Sequence, residues 1–223
     1  MSVSLRNVTV FDLDGTLTRR DTYTALLLRV LGRRPSRWLG CVRLPFAVAA
    51  HYAGMRDNAW LKTTFLGAIL GDIRHDDLRA ITEPFVAGVI RQGLRTGARA
   101  AIERHRAAGD YLVLATASFD FYAIDLGKAL GMNAVVCTES AWEDDRLVPV
   151  LRSGNCYGTV KRDRLQELLV KQPFTARLAF YSDSHADIPS LELAQEPVAV
   201  NPTRRLAAIA AARNYRVEDW DHD

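Results

Sequence analysis

Cysteine is scarce in this chain of 223 residues: Cys41, Cys137 and Cys156 form an odd set with no CxxC spacing. That excludes a disulfide framework and offers no zinc-site pattern. Long hydrophobic runs are missing as well. The nearest, residues 38–54, is broken by Arg43, Pro45 and His51 and is shorter than the roughly 20 residues a spanning helix needs. Charge of one sign is also lacking, with 29 Lys and Arg against 26 Asp and Glu, so no nucleic-acid partner is expected. There are no repeats or low-complexity tracts. Because a strand pattern begins within the first ten residues, a signal peptide has no room and a cytoplasmic location is the expectation.

What is there is ordinary globular material, 48% hydrophobic and 25% charged, enough for one domain with a large insertion or for two small ones. The chain is organised around residues 8–18, VTVFDLDGTLT. A β-branched apolar run reads as a buried strand, and it ends in Asp12, Asp14 and a turn-permitting Gly15. Period-two geometry sends Asp12 and Asp14 one way and Phe11 and Leu13 the other. Two adjacent acids repel each other unless a cation or a shared proton relieves them.

Helical patterns follow at residues 21–31, with Thr18 and Asp21 as N-terminal signals, and at 58–70, 76–92 and 98–108. Between them lies a basic and apolar segment, and no strand signal appears between Leu17 and Gly109. Strands are then expected at 111–115, 134–138, 177–181 and 198–200, and helices at 121–130, 160–170, 188–194 and 203–213. A small hairpin around Trp142 and Leu147 turns at Glu143, Asp144 and Asp145. Strands alternating with helices predict an α/β fold, a Rossmann-like open parallel sheet flanked by helices. Residues 1–17 and 98–223 would form the core, and residues 18–97 an all-helical insertion.

In such a sheet the ligand site lies beyond the carboxyl ends of the strands. Polar groups concentrate there at Asp12 and Asp14, Thr116 and Ser118, Lys161, and Asp183 and Asp187. A carboxylate attacks a phosphate poorly, since each like-charge pair at about 4 Å costs on the order of 4 kcal/mol at an effective dielectric near 20. A divalent cation and a fixed positive side chain remove that barrier. Asp12 and Asp183 can offer hard oxygens to Mg²⁺, Lys161 a point charge and Thr116 a hydroxyl donor. Asp14 can carry the proton for the leaving oxygen and later accept one from water. Ser118 reads equally as a phosphate ligand or a helix cap. His185 reads as a loop residue, Cys137 and Cys156 as core and loop residues, and Lys171 sits at the wrong end of its helix to rival Lys161.

These segments resemble the four motifs of the haloacid dehalogenase superfamily phosphatases: FDLDGTL at 11–17, ATAS at 115–118, NCYGTVK at 155–161 and YSDSHAD at 181–187. With a helical insertion after the first motif, the chain looks most like the phosphoserine-phosphatase-like branch. The resemblance implies Asp12 as a nucleophile that forms an aspartyl-phosphate and Asp14 as general acid and base. Thr116, Ser118 and Lys161 would hold phosphate. Mg²⁺ would be bound by Asp12, the Asp14 main-chain carbonyl and Asp183, with Asp187 supporting the metal or the lysine. Ser182 departs from the family's usual glycine, and activity is expected to survive so small a side chain. The insertion would be a cap that selects substrate and excludes water.

A small phosphorylated metabolite is the expected substrate. The arginines interleaved with aromatic and aliphatic residues from Arg33 to Tyr52 raise an alternative. They suit either a solvated basic face on a cap core or an amphipathic surface for peripheral membrane contact. The second would suit a phospholipid or lipid-linked phosphate, such as the phosphatidylglycerophosphate that some members of the branch take. A non-catalytic phosphate-binding or scaffold protein is the reading from another class, and the intact Asp12, Asp14, Lys161 and Asp183 oppose it. Dehalogenation is opposed by Asp14, since a departing halide needs no proton.

Overall fold

The β-branched run at the start forms β1 (Arg6–Phe11) in a computed structural model that describes residues 6–171 and 174–221. The later strands are β2 (Tyr111–Phe119), β3 (Ala134–Thr138), β4 (Ser140–Glu143), β5 (Arg146–Leu151), β6 (Phe174–Ser182), β7 (Glu196–Val200) and β8 (Arg216–Glu218). Six of them make one sheet in the order β3-β2-β1-β6-β7-β8, and every neighbouring pair is parallel. The order runs outward in opposite directions from β1 and β6, so their carboxyl ends border a topological switch point, where open α/β sheets bind ligands.

Side chains alternate as the pleat requires. Val8, Val10, Val113 and Phe180 pack with one core cluster, Phe11, Leu114 and Tyr181 with the other. Both faces are therefore buried, which explains the near-continuous apolar runs of the inner strands.

Five helices stand between β1 and the helix that leads into β2: α1 (Thr22–Arg33), α2 (Trp38–Cys41), α3 (Leu44–Tyr52), α4 (Asn58–Ile69) and α5 (His75–Gly88). Then come α6 (Thr96–Ala107), α7 (Asp120–Ala129), α8 (Thr159–Val170), α9 (Ile188–Leu191) and α10 (Arg204–Arg213). Asp21 caps α1 by accepting from Thr24 N, and Asp57 caps α4 by accepting from Trp60 N at 2.7 Å. Thr18 is not a cap. It forms a bridge with Leu94, and around it Arg19 N donates to Gly93 O at 3.2 Å and Arg95 N to Leu17 O at 2.9 Å. The chain thus leaves and re-enters the core through two segments bonded to each other.

Other boundaries differ from expectation for local reasons. Strand β2 runs on through Thr116, Ala117 and Ser118 instead of closing at them. The helix expected to reach residue 92 stays α only to Gly88 and continues as a π turn over Val89–Gly93. Strand β8 carries no apolar signal because it is three residues long and mostly exposed at the sheet edge. The β4–β5 hairpin turns on Asp144 and Asp145, both at positive φ, 45° and 64°, the backbone that a two-residue hairpin loop demands. Among the described residues, no helix is long and apolar enough to cross a membrane.

Candidate active site

Beyond β1 the chain keeps its hold on β6, since Asp12 N donates to Tyr181 O at 3.0 Å. It then turns at Gly15, whose φ is +83° and where a Cβ would lie 2.4 Å from Asp183 Oδ2. Only glycine meets both conditions. Buried Arg95 fixes the turn by donating to Gly15 O from Nε at 3.1 Å and from Nη2 at 2.9 Å. Thr16 joins the two acidic loops. Its hydroxyl lies 3.1 Å from Asp12 Oδ2 and 3.3 Å from Asp183 Oδ1, and it accepts from Asp183 N at 2.9 Å.

Lys161 enters from α8, which starts after Gly158 at a φ of +59°. Its buried ammonium donates to Asp12 Oδ1 at 2.7 Å and to Asp187 Oδ2 at 2.9 Å. Asp187 has both oxygens engaged, with Oδ1 also 2.8 Å from Lys161 and Oδ2 accepting from Ser182 at 2.8 Å. The carboxylate expected to support the metal or the lysine is thus turned to the lysine. Ser182 is no intruder in this loop, because its hydroxyl also accepts from Ser184 N at 3.0 Å.

Asp14 faces a separate set of donors. Oδ1 accepts from Thr22 N at 2.6 Å and Oδ2 from the Ser118 hydroxyl at 2.8 Å. Ser118 accepts in turn from the buried Tyr122 hydroxyl at 2.6 Å. It therefore positions Asp14 and does not cap α7, whose N-cap is Phe119. Thr116 is fully buried, and its Oγ1 accepts from Ser118 N at 3.0 Å.

Lys62 is a site residue that the motifs do not reveal. From α4 its buried ammonium reaches across to donate to Ala117 O, to Asn155 Oδ1 at 3.0 Å and to Thr138 Oγ1 at 3.3 Å. It also lies 4.5 Å from the centre of the Phe119 ring, a cation–π distance. A signal existed: Lys62, Leu66 and Ile69 share the buried face of α4, and a lone lysine on an apolar stripe needs partners. Together with Asp14, Asp21, Tyr23, Leu27 and Phe65 it lines a cavity of about 300 Å³. His185 lies in a short 3₁₀ turn (His185–Asp187).

Burial dominates the electrostatics. It pushes the Asp12 carboxyl up to about 8 against the pull of Lys161, and the Asp183 carboxyl up to about 6 with help from Asp187. Burial alone would lower the Lys161 ammonium, but Asp12 and Asp187 overcome it and hold it above its ordinary value. Burial and then Asp21 raise Asp14, opposed by its Thr22 and Ser118 hydrogen bonds. Burial lowers Lys62 to about 8.

A buried acid, Asp12, and a half-buried one, Asp183, bridged by one hydroxyl fit a hard divalent cation, which would relieve their mutual repulsion. Among the described residues no three His, Cys, Asp or Glu side chains are arranged to hold a metal. A cation here would therefore draw its remaining ligands from the main chain and from water, as Mg²⁺ readily does.

Comparison with known proteins agrees with the geometry. The chain is 34% identical over 192 residues to protein CicA of Caulobacter vibrioides, covering 83% of this chain and 82% of that one. It is 26% identical to the histidinol-phosphatase of Neisseria meningitidis, covering 96% and 98% of the two chains. A Bordetella pertussis protein of unknown function superposes with a TM-score of 0.86 at 29% identity, over 97% of this chain and 100% of that one. The sequence profile of the haloacid dehalogenase-like hydrolases matches residues 9–192. That span holds all four motifs and every side chain that meets at the end of the sheet, and the chain belongs to the haloacid dehalogenase-like hydrolases.

Proposed function

We propose that the protein is a phosphomonoester hydrolase that works through an aspartyl-phosphate on Asp12. The observation that carries this reading is the ion pair of Lys161 with Asp12 and Asp187, which places a fixed cation beside the attacking carboxylate. Asp12 attacks phosphorus as the bond to the leaving oxygen breaks, and that oxygen takes the proton held by Asp14. Water then attacks the acyl phosphate and gives its proton to Asp14, so phosphate leaves and Asp12 is regenerated. Lys161 offsets charge on the phosphoryl oxygens, and the hydrogen bonds from Thr22 and Ser118 hold Asp14 in place. Asp12, Asp183 and the Asp14 carbonyl would hold Mg²⁺, which supplies charge neutralisation at the phosphoryl group.

Helices α1 to α5 act as the cap in this reading. The cavity of about 300 Å³ is at the small end of ligand pockets and suits a small phosphorylated metabolite. Asp21 at its edge would pair with an ammonium group, and Tyr23 and Phe65 offer flat apolar walls. A phosphorylated amino alcohol meets these features, and the Neisseria relative is a histidinol-phosphatase.

The test is phosphate release with and without Mg²⁺ from histidinol phosphate, phosphoserine, sugar phosphates and detergent-dispersed phosphatidylglycerophosphate. Metal-dependent turnover that Asp12→Asn abolishes is expected, with a phosphorylated amino alcohol preferred. Turnover unchanged in Asp12→Asn sinks the mechanism. Preference for the lipid moves the substrate to the alternative class.

A further inference from the structure

Between Asp21 and Asp57 the chain has no aspartate or glutamate, yet it carries Arg29, Arg33, Arg34, Arg37, Arg43 and Arg56. Beyond α1 this stretch is unusually bare of cover. No residue of α2 is buried, and in α3 only Leu44 and Ala47 are. Leu39 is 82% exposed, Phe46 75%, Tyr52 84% and Met55 69%, and Trp38 and Val42 are exposed as well. Within α3, Phe46 and Ala49 are both exposed and three residues apart, the spacing of one helical face, and Leu39 and Val42 are exposed in and just after α2. A helix with the sequence LPFAVAAHY is apolar on nearly every side and ordinarily lies inside a protein. An exposed patch of this kind marks an interaction surface.

Its charge selects the occupant. Arg34 is paired with Asp77 at 2.9 Å, but among the described residues Arg37, Arg43 and Arg56 have no carboxylate partner. A second copy docked across a two-fold axis would set these arginines against themselves, with no acid in the stretch to relieve them. Nucleic acid would engage the arginines and leave Leu39, Val42 and Met55 with nothing to pack on. An anionic lipid surface satisfies both sets. Aliphatic side chains enter at the headgroup level, Trp and Tyr favour that boundary, and guanidinium groups meet lipid phosphates.

We propose that α2 and α3 dock the protein peripherally on an anionic bilayer, lying in its surface without crossing it. The docking face is tied to the cavity through α4. Gly40 of α2 approaches α4 so closely that a Cβ would lie 2.7 Å from Ala68 O, and α4 supplies Lys62 and Phe65 to the cavity wall. The proposal stands apart from the phosphatase reading, because binding alone reports it.

The test is co-sedimentation of the full chain with vesicles of phosphatidylcholine alone and of phosphatidylcholine mixed with phosphatidylglycerol, at low and high salt. Binding to the anionic vesicles at least roughly tenfold tighter than to the neutral ones, and weakened by salt, is expected. Arg43→Gln with Arg56→Gln should weaken it about 25-fold, at roughly fivefold per arginine. Leu39→Ser with Phe46→Ser should weaken it on both vesicle types. These positions are exposed, so the variants should unfold at the wild-type temperature and hydrolyse p-nitrophenyl phosphate at the wild-type rate. Absence of binding to anionic vesicles at low salt overturns the proposal, as does binding that neither double variant changes. A dimer that Leu39→Ser with Phe46→Ser disperses would also overturn it, by giving the face to a second copy.

Discussion

Gly15 and Asp183 stand so close that a methyl group on the first would lie 2.4 Å from Oδ2 of the second. The turn of the first motif and the acid of the fourth are thus fitted backbone against side chain. Gly15→Ala should cost about 2 kcal/mol through its positive φ alone and should push Asp183 aside. The expected outcome is a lower urea midpoint together with a loss of Mg²⁺ affinity of roughly tenfold or more by calorimetric titration. Unaltered affinity would show that Asp183 is not a ligand.

Ser182 links Asp187 to Ser184 N through one hydroxyl. Ser182→Ala removes a buried donor to a carboxylate, worth roughly 1.5–3 kcal/mol. Urea unfolding should show a loss in that range. The rate with p-nitrophenyl phosphate should fall several-fold, because Asp187 then holds Lys161 less firmly. A fully stable and fully active variant would argue against a supporting role for Asp187.

Ser118 donates to Oδ2 of Asp14, the carboxyl that carries the proton in the proposed mechanism. Its hydrogen bond favours the charged carboxylate and so opposes the upward push of burial and Asp21. In Ser118→Ala the Asp14 carboxyl should rise further. The alkaline limb of the kcat profile should then move to higher pH, while at acidic pH the step in which Asp14 accepts a proton from water slows. A profile that keeps its shape would place the titrating acid elsewhere.

Lys62 gives a stability test with a defined sign. Its folded value is lowered from 10.5 to about 8 by burial, so between these pH values the unfolded chain binds more protons than the folded one. Stability should therefore rise with pH across that window, by up to about 3 kcal/mol for the full shift, and be lost as pH falls through about 8. Lys62→Met should lack this rise. Urea midpoints of both proteins across the window decide it, and parallel curves would show that Lys62 is not buried as described.

The sheet and the four motifs were legible because they depend on local signals. β-branched runs, glycine stops and acids at strand ends each act within a few residues, and Asp12, Asp14, Lys161 and Asp183 were all read that way. Lys62 was hidden because its partners, Ala117, Thr138 and Asn155, are at least 55 residues away in the chain. Thr22 and Tyr122 were missed for a different reason: their partners are near in the chain, but each matters only through Asp14 or Ser118. Strand β8 escaped because an edge strand gets its conformation from its neighbour β7 and has little burial of its own.

The neck formed by Thr18 with Leu94, and by Arg19 with Gly93, makes the helical segment replaceable in principle. Its two ends are already pinned to each other, so the span between them imposes little tension on the sheet, and lengthening or exchanging it leaves the ladder of β1 untouched. Recognition and bond cleavage can then be retuned separately. Lys62 limits that freedom. Any substitute segment must return a cation to Ala117 and Asn155, or else leave those two oxygens to share the single hydroxyl of Thr138.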